Sequence, residues 1–203
     1  EADAALPAPL GDREDLRALP LVTIDPIDAR DRDDAVHAHP DEDPSNPGGY
    51  ILWVAIADVA HYVTPGSALD REARAKGNST YFPDRVEPML PERLSNGLCS
   101  LKEGENRACL VVRMVFDKDG RKTGHKFVRG LMRSHAKLSY EQAQAAIDGQ
   151  TDDTTGPIME AILYPLWNAY RTMLKGRLKR SPLHITSAER RIRMAPDGGI
   201  ASI

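Results

Sequence analysis

The sequence predicts an α+β domain, a mixed and largely antiparallel sheet flanked by helices. Three observations predict it. Two apolar-rich runs at 108–116 and 122–132, joined by the turn Asp117-Lys118-Asp119-Gly120, read as a hairpin. The nearly unbroken apolar run 50–57 has the pattern of a strand buried on both faces. Stretches at 68–76, 139–148 and 158–177 carry helical signals with recognisable ends.

Taken in order, residues 1–20 read as a linker or lead-in with one helical turn, because Pro7, Pro9, Gly11 and Pro20 interrupt any longer pattern. Residues 21–203 read as one unit. Apolar 21–24 is a short strand running into the acidic stretch 25–34, and 41–49 (D-E-D-P-S-N-P-G-G) is a turn-rich loop. The strands 21–24 and 50–57 are expected as sheet neighbours. Ser67 with Asp70 three residues on caps the helix 68–76, which Gly77 closes. Residues 80–90 are extended and interrupted by proline, and Pro91 opens a short helix through 94. After the hairpin, Ser139 with Gln142 caps a helix that Gly149 stops. A longer helix over 158–177 is expected to kink at Pro165, with Ile162, Leu166, Trp167, Tyr170 and Leu174 as its core stripe. Segments 190–194 and 200–203 begin a last hairpin in which the chain stops, so the domain is expected to be incomplete at its C-terminal end.

Composition narrows the class. Of 203 residues, 41% are hydrophobic and 28% charged, which excludes a disordered or fibrous chain. No apolar run approaches the roughly 18 residues of a membrane span, and no basic start precedes an apolar stretch as in a secretory signal. Cys99 and Cys109 lack zinc spacing and read as buried reduced thiols of a cytosolic protein. The net charge of −3 hides a gradient. Residues 1–60 hold fourteen acids against four Lys/Arg, 61–120 nine of each, and 121–203 seven acids against fourteen Lys/Arg. Such a chain can set a cation-binding carboxylate site beside a surface that attracts a polyanion, although solvated faces give the same count.

The informative stretch is T-I-D-P-I-D-A-R-D-R-D-D-A, with Asp25, Asp28, Asp31, Asp33 and Asp34 inside ten residues. Carboxylates so crowded repel one another, and interleaved Ile24, Ala29, Ala35 and Val36 draw parts of the segment inward. Either the loop is solvated or a cation offsets the repulsion. A helix-loop-helix calcium loop starting at Asp31 fails, because Ala35 and Val36 stand where an oxygen ligand and a glycine are needed. Carboxylates without His or Cys favour Mg²⁺, with Mn²⁺ as the variant, and these ions commonly act on phosphates.

That stretch is followed by W-V-A-I-A-D-V (53–59), Y-V-T-P-G-S-A-L-D-R-E-A (62–73), Y-F-P (81–83), P-M-L-P (88–91), L-S-N-G-L-C-S-L (94–101) and S-H-A-K-L-S-Y (134–140). In that order the motifs resemble the N-terminal portion of the catalytic (RNB) domain of the ribonuclease II/ribonuclease R exoribonucleases. The Y-F-P and L-S-N-G-L-C-S-L wording is closer to the ribonuclease R branch. The resemblance implies processive 3′-to-5′ hydrolysis of single-stranded RNA to nucleoside 5′-monophosphates with Mg²⁺, in the cytoplasm. It sets the family's four site aspartates on Asp25, Asp31, Asp33 and Asp34, all metal ligands, with Asp33 the most rate-critical. Its aromatic that stacks on the 3′-terminal base falls on Tyr81. The family's flanking oligonucleotide-binding-fold domains, its arginine-rich T-S-P-I-R-R-Y type segment and its downstream glutamate have no counterpart in these 203 residues. The chain is therefore expected to be part of a catalytic domain, weaker in phosphate contacts.

Asp58 either joins the acidic site from the neighbouring strand or satisfies backbone donors at a strand end, and is left off the site; His61 and His135 read as structural, and the basic run 175–180 as a solvated helix end. Two alternatives stand beside the nuclease: a metal- or RNA-binding module without turnover, and a phosphoryl-transfer enzyme on small nucleotides. The absence of a Gly-rich phosphate loop weighs against the latter.

Overall fold

The computed structural model describes residues 1–183, 185, 192–195, 197 and 199–202. Its strands and helices are β1 (Glu14–Leu16), β2 (Val22–Asp25), β3 (Asp34–Pro40), β4 (Tyr50–Ala57), α1 (Ala68–Lys76), β5 (Thr80–Tyr81), β6 (Val86–Glu87), β7 (Asn106–Phe116), β8 (Lys122–Arg133), β9 (Ala136–Ser139), α2 (Tyr140–Ile147), α3 (Tyr164–Lys179), β10 (Arg193–Met194) and β11 (Ile200–Ser202). Seven strands form the main sheet in the order β1-β8-β7-β4-β3-β2-β9. The outermost pairs, β1 with β8 and β2 with β9, are parallel and every internal pair is antiparallel. No helix among the described residues is long and apolar enough to cross a membrane.

Both faces of the sheet are covered. On one face Leu21, Ala35, Ala55 and Val111 pack with Leu69 of α1 and with Leu94 and Leu101 of the 88–101 segment in one buried cluster. On the opposite face, Val22 and Leu138 pack under α2 and a short π-type turn at Met159–Leu163. Ala38 and Leu52 pack there under α3. In β4, Ala55 and Ala57 serve the first face and Leu52 and Val54 the second, as expected for a strand buried on both sides. Ile56 departs from that pattern, lying 45% exposed.

Four expectations need correction. Strands 21–24 and 50–57 are not neighbours: β3 lies between β2 and β4 and pairs with both. The run A-V-H-A-H-P lacks the apolar density of a recognisable strand, yet Ala35 and Ala38 are buried because pairing, not side-chain bulk, holds it. Residues 1–20 are not merely a lead-in. They supply β1, and Arg93 donates to the carbonyls of Ala2 (2.9 Å) and Ala5 (2.7 Å), while the Glu1 carboxylate accepts from the N–H groups of Ala68 and Leu69 at the start of α1. The long helix does not simply kink at Pro165. A π-type turn ends at Leu163 and α3 begins afresh with the proline in its first turn, where its missing N–H costs nothing.

The apolar stripe holds in part: Ile162 is buried and Leu166 packs against the core, but the buried face of α3 is otherwise different. Ala169, Thr172 and Gly176 are its buried residues, whereas Tyr170 is 46% exposed. Small residues win because the turn of the β7–β8 hairpin docks directly on the helix. A Cβ on Gly176 would overlap the Gly120 carbonyl, and one on Gly120 would come within 2.9 Å of the Gly176 nitrogen. Of the last hairpin, β10 pairs antiparallel with β11, while residues 190, 191, 196, 198 and 203 lie outside the described residues.

Replacing a glycine inside a helix by alanine ordinarily stabilises by about 1 kcal/mol. Gly176→Ala is expected to reverse that sign and destabilise by about 1–3 kcal/mol through overpacking against Gly120. Urea unfolding reads it; a gain in stability would contradict the docking.

Candidate active site

The acidic stretch leaves the sheet at the end of β2 and returns at the start of β3, so its two ends are carried by adjacent strands. Its backbone is held from a different part of the chain. The Ser100 hydroxyl accepts from the Arg32 N–H (3.2 Å) and donates to the Arg30 carbonyl (2.9 Å), and the Leu101 N–H donates to the Arg32 carbonyl (2.8 Å). Ser100 and Leu101 are themselves inaccessible, and the Arg107 Nε donates to the Ser100 carbonyl at 2.8 Å. At the far end the Ala57 N–H donates to the Asp33 carbonyl (2.8 Å). The L-S-N-G-L-C-S-L motif thus clamps the loop that bears the aspartates.

The side chains alternate along this pinned segment. Arg32 turns inward and is 3% exposed; Asp33 and Asp34 remain exposed and Asp31 is half-buried. Asp25 is buried at the end of β2. Its Oδ2 accepts from the Arg32 Nη1 at 2.8 Å. Tyr81, on the β5–β6 ribbon and 65% exposed, donates its hydroxyl to Asp31 Oδ2 at 3.0 Å. The structure thus brings Asp25, Asp31, Asp33, Asp34 and Tyr81 into one neighbourhood; Asp28 lies exposed on the intervening turn.

The four carboxylates share one electric field. The Asp33 carboxyl is pushed above its ordinary value, first by the protein that strips its hydration and then by Asp31, Asp34 and Asp25. Asp25 is raised as well, by burial above all, with Arg32 pulling it down and Asp34 and Asp31 pushing up. Burial and the Asp31 carboxylate raise the Tyr81 phenol, keeping it a donor.

This donor set suits a hard divalent cation in chemistry, and its mutual repulsion is what such a charge would relieve. Among the described residues, however, no three His, Cys, Asp or Glu side chains stand as a ready-made ligand cage. Strand alternation gives a reason. Asp34 falls on the same side of β3 as Val36 and Ala38, while Ala35 packs into the opposite face, and Asp25 is turned toward Arg32. The donor set matches such an ion in type, but as placed the described side chains do not enclose one.

Comparison with known proteins decides the family. The RNB domain model matches residues 13–202. The chain belongs to the RNB family. Ribonuclease R of Escherichia coli is 48% identical over 179 residues, covering 87% of this chain and 21% of that protein. The chain therefore spans about a fifth of the length of this curated relative. Among solved structures, Mycoplasma genitalium RNase R in complex with ribose methylated single-stranded RNA superposes with a TM-score of 0.89 at 31% identity, over 98% of this chain and 31% of that one. The same enzyme with double-stranded RNA gives 0.85 at 32% identity, over 94% of this chain and 33% of that one. The mixed, largely antiparallel sheet is that of these neighbours.

Sequence reasoning missed Arg32 and Ser100. A lone Arg between two aspartates reads as surface charge, and only alternation along a pinned segment shows that it must point inward. Asp58 is buried and ion-paired with Arg13 (2.8 Å) and Arg129 (3.7 Å), so its partners are arginine side chains and not the backbone donors expected at a strand end. Both cysteines are free and buried, which pushes the Cys99 thiol up to about 11 and Cys109 to about 12.

A carboxyl held above its unfolded value of 3.8 binds its proton more tightly when folded, so metal-free stability falls as pH rises from that value through the raised one. Asp33→Asn removes that ionisation. In EDTA the variant is expected to melt above the wild type at neutral pH and level with it near pH 3, as followed by circular dichroism; a gap independent of pH would contradict the shared field.

Proposed function

We propose that this chain is the part of a cytoplasmic, RNA-degrading enzyme that hydrolyses single-stranded RNA from its 3′ end to nucleoside 5′-monophosphates, with Mg²⁺ as cofactor and Mn²⁺ as substitute. One observation carries the reading: Asp25, Asp31, Asp33 and Asp34 share a field at the edge of a pinned loop, with an exposed tyrosine bonded to one of them. Membership of the RNB family supports it. In the longer relatives the resemblance implies oligonucleotide-binding-fold domains that add grip on RNA.

In this reading Asp25, Asp31, Asp33 and Asp34 hold the cation, which when bound activates water and stabilises charge on the phosphodiester. The Tyr81 ring offers its exposed face to the terminal base, a grip tolerant of sequence because every base has a π-face. Its hydroxyl, anchored on Asp31, fixes where that base sits relative to the carboxylates. The clamp by Ser100, Leu101 and Ala57 keeps the loop from following its own repulsion outward. A second reading, a module that binds metal or RNA without turnover, draws on the engagement of Asp25 by Arg32.

The two readings part on 5′-labelled single-stranded RNA incubated with the chain in Mg²⁺ or EDTA. The nuclease yields a ladder shortening from the 3′ end in Mg²⁺ alone, slowed at least about 10²-fold by Asp33→Asn; folded protein that binds RNA and leaves it intact supports the module. Tyr81→Ala is expected to weaken RNA binding by about 1–3 kcal/mol, or about 5- to 150-fold, in a fluorescence anisotropy titration. Unchanged affinity would remove Tyr81 from the RNA contact.

A further inference from the structure

The buried guanidinium of Arg32 is chemically unexpected beside four candidate ligands, and its partners say what it does. Nη1 donates to Asp25 Oδ2 (2.8 Å), to the Leu138 carbonyl (3.2 Å) and to Thr23 Oγ1 (3.3 Å). Two of these acceptors belong to β2 and β9 and owe nothing to Asp25, so the sheet itself fixes the guanidinium. The backbone of Arg32 is fixed independently by Ser100 and Leu101, and its side chain is 3% exposed. A group held at both ends cannot swing aside.

A cation surrogate would sit between carboxylates and bridge several of them. Arg32 instead pairs with Asp25 alone of the four, among the described residues, and meets sheet groups otherwise. Its bond falls on Oδ2; Oδ1 of Asp25 accepts no hydrogen bond from the described residues. We propose that Arg32 is a positioning residue, holding Asp25 from behind through Oδ2 so that Oδ1 is presented to the metal. The inference rests on the reading of Asp25 as a ligand. Ligating carboxylates are commonly oriented by such outer partners, whose loss costs about 10- to 100-fold in metal affinity.

The test is Mn²⁺ binding by the whole chain without RNA, read by calorimetry or by the spin resonance of free Mn²⁺. The proteins are wild type, Arg32→Met, Arg32→Lys, Asp25→Asn and the double variant Asp25→Asn/Arg32→Met. Arg32→Met is expected to weaken Mn²⁺ binding about 10- to 100-fold, Arg32→Lys less, and Arg32→Met to add almost nothing once Asp25 is Asn. Equal or tighter binding by Arg32→Met, or the same loss in the Asp25→Asn background, overturns the positioning role. Where Arg32→Met fails to fold, Arg32→Lys is read by the same criterion: weakened binding upholds the role and unchanged binding overturns it. Wild type that binds no Mn²⁺ overturns the metal reading itself, an outcome distinct from wild-type binding with an unaffected Arg32 variant.

Discussion

The geometry of the acidic loop depends on one buried serine. Ser100 is inaccessible, and its hydroxyl accepts from the Arg32 N–H while donating to the Arg30 carbonyl, so it satisfies both sides of a backbone that neighbouring strands do not pair. Carboxylates crowded on a short loop would relax by moving apart. Hydrogen bonds from Ser100, Leu101 and Ala57 oppose that motion, and Arg107 fixes Ser100 in turn. Burial above all, and the neighbouring carboxylates after it, raise the proton affinity of Asp25 and Asp33 on the loop so held.

That loop can be pinned because the sheet around it is rigid on both sides. β3 and β4 carry its C-terminal end, β2 and β9 its N-terminal end, and α2 and α3 back them on the second face. The close approach of Gly120 to Gly176 ties the far turn of the β7–β8 hairpin to α3. Near the loop the second face is less covered. Ile56, which pairs in register with Asp34, is 45% exposed, as is Leu110 across the sheet. Rigid backbone and uncovered surface therefore meet beside the carboxylates.

Much of the fold was legible. The helix 68–76 announced itself through Ser67, Asp70 and Gly77, and the structure shows the Ser67 hydroxyl accepting from the Asp70 N–H. The capping box of Ser139 and Gln142 is formed at α2. The hairpin 108–116/122–132 extends only slightly, to Asn106–Phe116 and Lys122–Arg133. Such signals are local, and local chemistry survives folding. Less legible were β3, whose small and polar residues carry no strand signature, and the core face of α3, where Ala169, Thr172 and Gly176 replace the larger Trp167 and Tyr170. Close backbone approach selects small residues, and nothing in a single helix reveals what will approach it.

By itself the sequence determined which residues could carry chemistry: five aspartates in ten positions, an aromatic on a separate segment, and motifs in a recognisable order. It also determined the secondary structure wherever caps, turns and apolar runs act within a few residues. Only the tertiary structure decided how those groups are used. It set Tyr81 on Asp31, buried Arg32 against Asp25, and made a serine about seventy residues downstream the anchor of the loop. The physical reason is that hydrogen bonds and charge interactions depend on distance and direction in space, which a sheet assembled from distant segments creates and which sequence spacing does not contain.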